Sequence, residues 1–375
     1  MIFFYRSIIA QVFLNIFIVY YLWRIEGLPK WIKKAVSVLY FFETVIYFIG
    51  LLFETKISHV IFRNIQVING IWVIYNLYIG CIILLFCLTK YFLCKIETKT
   101  DVIKFVKIRN ICFLILFLFM SFEVYKGYTL FDKPIIREHK FTLANKALTI
   151  EERTQYKLLV VSDIHLGYII DKWKLRMFRD IIMAQNADII VINGDLIDYN
   201  VEPLIKSNMD EELKTLTAPN GVFLIPGNHE YKNDAEKCLN WIRSCGITVL
   251  KDSVININNQ MYIIGRDDRS QSKNRKPITT LIEQVEQRES CIYFAHHPND
   301  IEEILQYNIP LVVSGHTHYG QIFPANLFCH LAYGNAYGWK ENGECRSYTS
   351  SGLGLSGAPL RIGSSSEILI LTIEL

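Results

Sequence analysis

The sequence predicts a chain in two parts. Residues 1–130 read as an N-terminal transmembrane α-helical bundle, residues 156–375 as an α/β layered domain, and 131–155 as a connector. Three observations carry this reading. The hydrophobic content of 51% is high for a water-soluble protein, and the excess is concentrated before residue 130. Charge divides at the same place: residues 1–130 hold 14 Lys and Arg against 6 Asp and Glu, leaving 25 against 30 for the remainder and +3 overall. From Tyr156 onward, short β-branched runs alternate with polar turns and helix-like segments.

The apolar part comes first. Four long stretches, Ser7–Trp23, Ala35–Phe53, Ile65–Leu88 and Ile111–Leu130, approach the ~20 residues a membrane-crossing helix needs. Soluble helices alternate polar and apolar faces, and these mostly do not. The first stretch runs into VYYLWRIEG with no small-x-small exit, so it reads as an uncleaved helix and not a signal peptide. Glu43 lies inside the second stretch, either as an intramembrane functional group or as a residue facing a neighbouring helix.

Orientation follows from the loops. Arg24, Lys30, Lys33 and Lys34 lie in loop 24–34, and Lys90, Lys95, Lys99, Lys104, Lys107 and Arg109 in loop 89–110. The opposite side shows Arg6, Lys56 and Arg63. Positive charge stays cytoplasmic, so both chain ends are expected outside, although Lys126, Lys133, Arg137 and Lys140 follow the fourth stretch. Loss of one span would invert this. The slightly acidic second part argues against a nucleic-acid partner. The nine cysteines show no C-x-x-C spacing, so no zinc knuckle is implied. A Cys329–Cys345 disulfide suits an outside location, but spacing leaves it open.

In the second part five apolar runs end in metal-ligand chemistry: KLLVVSDIH, DIIVINGD, GVFLIPGNHE, CIYFAHHP and IPLVVSGHTH. Asp163 and His165 end the first, Asp195 the second, Asn228 and His229 the third, His296 the fourth, and His316 and His318 the fifth. Each has an ordinary explanation alone, since Gly-Asp and Asn-Gly are common turn pairs. Five strand ends in order, where α/β sheets place their sites, do not. The glycines around His316 and His318 suggest a tightly bent backbone that converges two imidazoles.

The series D-x-H, G-D, G-N-H-E, H-x-P, G-H-T-H resembles the calcineurin-like metallophosphoesterase superfamily over about residues 156–375. GRDDRS at 265–270, SSGLGLSG at 350–357 and PLRIGSSSEI at 359–368 look like its bacterial membrane-anchored branch, which often shows a glycine where this chain has Tyr319. The resemblance implies a β-sandwich flanked by helices. It also implies two divalent ions of manganese, iron or zinc, one between Asp163, His165 and His318, the other between Asn228, His296 and His316. Asp195 would bridge them. Mixed carboxylate, amide and imidazole ligands suit such borderline ions. Two ions ~3.5–4 Å apart activate water and clamp a phosphoryl group.

Within the same resemblance His229 stands beside the leaving oxygen as proton donor, His297 is the intervening residue of H-x-P, and Glu230 and Asp198 orient imidazoles. Arg266 and Arg269 offer a bidentate grip on phosphate. The expected protein is a multi-pass phosphoesterase of the bacterial inner membrane with its catalytic domain outside. It would cleave a phosphodiester or pyrophosphate bond in a lipid-linked or envelope substrate; its oligomeric state stays open. Two alternatives remain: a cytoplasm-facing nucleotide-diphosphate-lipid pyrophosphatase, and a membrane sensor or transporter regulated by its phosphoesterase domain. Scarce intramembrane charge counts against transport.

Overall fold

A computed structural model describes residues 2–25, 27–53, 56–93, 99–144, 154–271 and 274–375. Cys94 and Lys95, and residues 145–153 of the expected connector, lie outside the described residues. The chain divides into two compact units, Met1–Tyr128 with Gly357–Pro359, and Thr129–Ser356 with Leu360–Leu375.

Four helices precede the sheets: α1 (Ile2–Trp23), α2 (Lys30–Leu52), α3 (His59–Leu93) and α4 (Lys99–Leu130). Among the described residues, His59–Thr89 and Ile103–Leu130 are long and apolar enough to cross a membrane, and Gln11–Trp23 is a shorter apolar helix. The expectation of four spans therefore stands on two by length and composition. No Gly or Pro interrupts 99–110, so α4 begins at Lys99 and carries Lys104, Lys107 and Arg109, which the sequence reading placed in a loop. Glu43 is buried and accepts hydrogen bonds from Gln11 Nε2 (3.3 Å) and Asn15 Nδ2 (2.9 Å) on α1. Asn15 Oδ1 accepts from Asn76 on α3 at 2.5 Å. A carboxyl among apolar helices thus faces their amides, which satisfy it.

The strands of the second unit are, in chain order, β1 (Ile135–Thr142), β2 (Gln155–Val161), β3 (Ile189–Asn193), β4 (Val222–Ile225), β5 (Thr248–Val249) and β6 (Ser253–Ile257). They continue with β7 (Met261–Gly265), β8 (Cys291–Phe294), β9 (Leu311–Ser314), β10 (Gly338–Asn342), β11 (Cys345–Thr349) and β12 (Glu367–Glu374). Among the described residues they form two six-stranded sheets, in the orders β1-β12-β2-β3-β4-β5 and β10-β11-β9-β8-β7-β6. β2 to β5 run parallel, as do β7, β8 and β9.

The expected connector needs correction. Its Ile135–Thr142 portion is a strand, paired in parallel with β12 from Ile135↔Glu367 to Thr142↔Glu374. It has a neighbour on one side only and is mostly exposed. An edge strand tolerates the charges and the nearby Pro134 that made the segment read as a link.

The central runs are apolar on both faces because both faces are covered. Ile189 and Val191 of β3 pack with Ile263, Ile292, Phe294, Leu311 and Val313 of the other sheet. Ile190 and Ile192 point the other way, into a layer with Phe178, Ile182, Leu239 and Ile242 from helices Lys172–Met183 and Ala235–Ser244. The second sheet's outer face packs Ile264 and Tyr293 against Leu281, Ile282 and Ile304. Two sheets face to face, each covered outside, bring the carboxyl ends of strands from different sheets to one rim.

Candidate metal centre

Three ligand-bearing loops leave β2, β3 and β4 of one sheet, and two leave β8 and β9 of the other. Asp163, His165, Asp195, His296 and His318 are all buried, and His316 is partly so. They gather into Asp163–His165–His318 and Asp195–His296–His316, with His165–Asp195–His229 between.

The backbone bends at the site residues themselves. Asp163, His165, Asp195, His316 and His318 have φ of 53, 54, 52, 71 and 49°, the left-handed region that L side chains seldom enter. Tyr319 also lies there, at φ 49°, which explains how a glycine serves at that place in related sequences. Gly315 has a different reason. A Cβ on it would lie 1.9 Å from Ser162 Oγ and 2.6 Å from Asp163 Oδ2, so the glycine permits close approach of two loops. The expectation that glycine supplies the bend at this motif holds for Gly320, at φ 70°, and is corrected for the rest: the histidines themselves bend, and Gly315 makes room.

Each carboxylate is held by one oxygen and presents the other. Asp163 Oδ2 accepts from Ser162 Oγ (2.5 Å) and from the His316 amide (3.0 Å). Its Oδ1 faces His318 Nε2 at 3.4 Å and His296 Nε2 at 3.8 Å. Asp195 Oδ1 accepts from the His229 amide at 2.8 Å. Its Oδ2 stands 3.2 Å from His296 Nε2 and 3.8 Å from both His165 Nε2 and His229 Nε2. Burial opposes its charge, but His296 and His229 hold the Asp195 carboxyl well below the usual range.

This donor set fits divalent cations. His165 Nε2 and His318 Nε2 point at each other across 2.9 Å, and His316 Nδ1 meets Asn228 Oδ1 at 2.9 Å. Asp163 Oδ1 and His296 Nε2 are buried with no hydrogen-bond partner. The opposite His296 nitrogen, Nδ1, bonds the Asn193 carbonyl at 2.8 Å, which aims Nε2 at the centre. Orphaned lone pairs converging from aspartate and imidazole are what a cation satisfies.

Residues 156–320 match the family model described as calcineurin-like phosphoesterase. Residues 156–320 thus carry a calcineurin-like phosphoesterase domain. An uncharacterized metallophosphoesterase of Helicobacter pylori is 32% identical over 222 residues, 58% of this chain and 59% of that protein. One from Aquifex aeolicus is 29% identical over 254 residues, covering 66% of this chain and 95% of that protein. A "Transmembrane protein with metallophosphoesterase domain" of Danio rerio is 30% identical over 227 residues, 56% of this chain and 52% of its own length. The chain thus spans well under two thirds of the Helicobacter and zebrafish relatives.

Around this calcineurin-like centre the other expected residues fall into place unequally. His229 is buried; its Nδ1 bonds the Asp198 carbonyl, and Asp198 Oδ1 lies 3.4 Å away. Burial pulls the His229 pKa down, but Asp195 and Asp198 outweigh it and raise the value. Asp198 Oδ1 also reaches His165 Nδ1 at 3.3 Å, so it orients two imidazoles. Glu230 does not. Fully buried, it accepts the amides of Gly227 (2.8 Å), Asp195 and Ile197 (both 3.0 Å), pinning two site loops together. Burial, with Asp195 beside it, pushes the Glu230 carboxyl up to about 7.

Arg266 is the clearest correction. Expected as a phosphate grip, it is buried with its guanidinium on Asp252 Oδ1 (2.6 Å), Glu303 Oε2 (3.0 Å) and the Lys276 carbonyl (2.7 Å). Two carboxylates already satisfy its charge. Arg269 is 3.6 Å from Asp300 and its side chain is 39% exposed, which leaves it reachable by solvent. Its charge helps lower the His297 pKa to about 3, after burial and His316. Cys329 and Cys345 are free thiols.

Two neighbours escaped the sequence reading. Lys232 sets its ammonium against both ring nitrogens of His229. Arg361, from PLRIG, is buried and donates to the carbonyls of Ser351 (2.8 Å), Gly352 (3.0 Å), Gly354 (2.7 Å) and His318 (3.3 Å). Most of its partners are backbone carbonyls, which no side-chain motif announces; Ser364 Oγ (3.2 Å) and His318 Nδ1 (3.5 Å) also lie within reach.

Proposed function

We propose that this chain is a membrane-anchored, binuclear metal-dependent phosphoesterase that hydrolyses a phosphodiester or pyrophosphate bond. The observation that carries the reading is the position of Asp195 Oδ2, close to His165 on one side and His296 on the other. Asp163, His165 and His318 would hold one ion, Asn228, His296 and His316 the second, and Asp195 both. Such an ion pair supplies activated water and Lewis-acid stabilisation of a phosphoryl group in line for displacement.

This chain's own residues supply the rest. His229, tied through Nδ1 to the Asp198 carbonyl, presents Nε2 toward Asp195 and stands ready to give a proton to the leaving oxygen. Asp198 fixes the ring orientation of His229 and His165. Arg269, with an accessible side chain, is the remaining candidate to meet a substrate phosphate.

Membrane anchoring is supported by the two long apolar helices and by the similarity to the transmembrane protein of Danio rerio. With 14 basic against 6 acidic residues before residue 131, and the basic clusters flanking the apolar stretches, we place residues 156–375 outside the cytoplasm of a bacterial inner membrane. The substrate class that suits this location is a lipid-linked or envelope phosphoester.

Asp195→Asn tests the assignment. It removes the charge shared by both ions, so hydrolysis of bis(p-nitrophenyl) phosphate should vanish and bound metal, read by plasma mass spectrometry, should fall. Full metal content with normal turnover would sink the binuclear reading.

A further inference from the structure

Helix Ala325–Ala332 follows the loop that carries His316 and His318 and buries none of its residues. Three of its five consecutive residues from Leu327 to Leu331 are large and apolar, and Leu327, Phe328 and Leu331 are 55%, 65% and 84% exposed. Trp173 and Leu305, also exposed in the second unit, stand singly on separate elements. Isolated ones need no explanation; a cluster on a helix with no buried face does.

The helix is coupled to the metal centre. His330 packs edge-on against Tyr319 (centroids 5.5 Å apart, 82°), with Nε2 3.4 Å from the tyrosine hydroxyl. Cys329 Sγ lies 3.9 Å from the carbonyl of Thr317, the residue between the two histidines. Tyr319 in turn stacks on Tyr337, centroids 4.7 Å apart.

From these observations we infer that the Leu327–Leu331 face rests in the surface of a lipid bilayer beside the metal centre. Composition favours this occupant: no Asp or Glu occurs from Gly315 to Trp339, while Tyr319, Tyr333, Tyr337 and Trp339 do. An acid-free, aromatic-rich rim around an apolar helix suits the headgroup layer of a bilayer. The domain is also covalently continuous with the apolar stretch Ile103–Leu130, which keeps it within reach of lipid. The substrate consequence rests on the phosphoesterase reading: the bond cleaved then belongs to a molecule resident in the lipid surface, its phosphate entering past Tyr319. The lipid contact itself does not depend on turnover.

The test places p-benzoylphenylalanine at Leu331, at Phe328, or at the exposed control Glu236, each in the full chain reconstituted into phosphatidylcholine–phosphatidylglycerol vesicles. After irradiation, lipid adducts at 331 and 328 should exceed those at 236 by about tenfold. Equal yields at all three sites would overturn the contact. Adducts to a second copy or to the chain's own helices would overturn it in favour of those occupants. Adducts without hydrolysis of any model diester would leave the lipid contact standing while removing the phosphoesterase reading; hydrolysis without adducts would do the reverse.

Discussion

Gly315→Ala isolates one claim, that the candidate centre depends on a near-contact between two loops from different sheets. The added methyl would sit 1.9 Å from Ser162 Oγ, 2.6 Å from Asp163 Oδ2 and 3.0 Å from Ser162 Cβ. Contacts below 3 Å must be relieved, and overpacking of this kind costs about 1–3 kcal/mol. At about 2–4 °C per kcal/mol for a domain of this size, the melting midpoint should drop by about 2–12 °C. The atoms pushed are Ser162 Oγ and Asp163 Oδ2, the carboxylate oxygen that this hydroxyl and the His316 amide hold in place. Turning that carboxylate swings Oδ1 away from His318 and His296, so bound metal should fall. Turnover should drop by about 10²-fold, the usual cost of a misplacement near 1 Å. The assay is thermal unfolding of the purified full chain, with metal content and diester hydrolysis on the same preparation. Gly334→Ala is the control: its Cβ would meet nothing nearer than Lys340 Nζ at 4.0 Å, and all three readouts should stay at the parent level. A Gly315→Ala protein that melts with its parent and keeps full metal would refute the argument.

Two further outcomes are expected. His229→Ala should keep its metal yet lose ~10²–10⁴-fold in rate, with the loss shrinking for nitrophenolate leaving groups that need little protonation; equal losses for good and poor leaving groups would remove the proton-donor role. A reporter active only outside the cytoplasm, fused after Leu375, should be active while its cytoplasmic counterpart stays dark. The opposite pattern would invert the orientation and favour the cytoplasm-facing pyrophosphatase reading.

Much of the site was legible in the residues because metal-ligand chemistry is local. Asp163 and His165 are separated by one residue, as are His316 and His318, and a strand end forces each pair into one loop. The calcineurin-like phosphoesterase domain at 156–320 was legible for the same reason. Arg266 misled, since an arginine leaving a strand beside the site reads alike whether it meets a phosphate or, as here, Asp252 and Glu303 from other parts of the chain. Residues 135–142 misled too, because an edge strand forms one ladder and shows little of the apolar alternation that marks a strand.

The sequence by itself determined where the chain is apolar and where it is mixed, which runs become buried strands, and which residue types end them. Those properties follow from composition and short-range periodicity, which the solvent reads directly. Only the tertiary structure decided that the site residues come from two sheets, that Asp195 Oδ2 is the atom reaching both halves, and that Glu230 clamps amides where an imidazole partner was expected. Each of these joins groups about 30 or more positions apart in the chain. Such distances are closed by packing the apolar faces of two sheets, and no local pattern records which side chains that packing brings together.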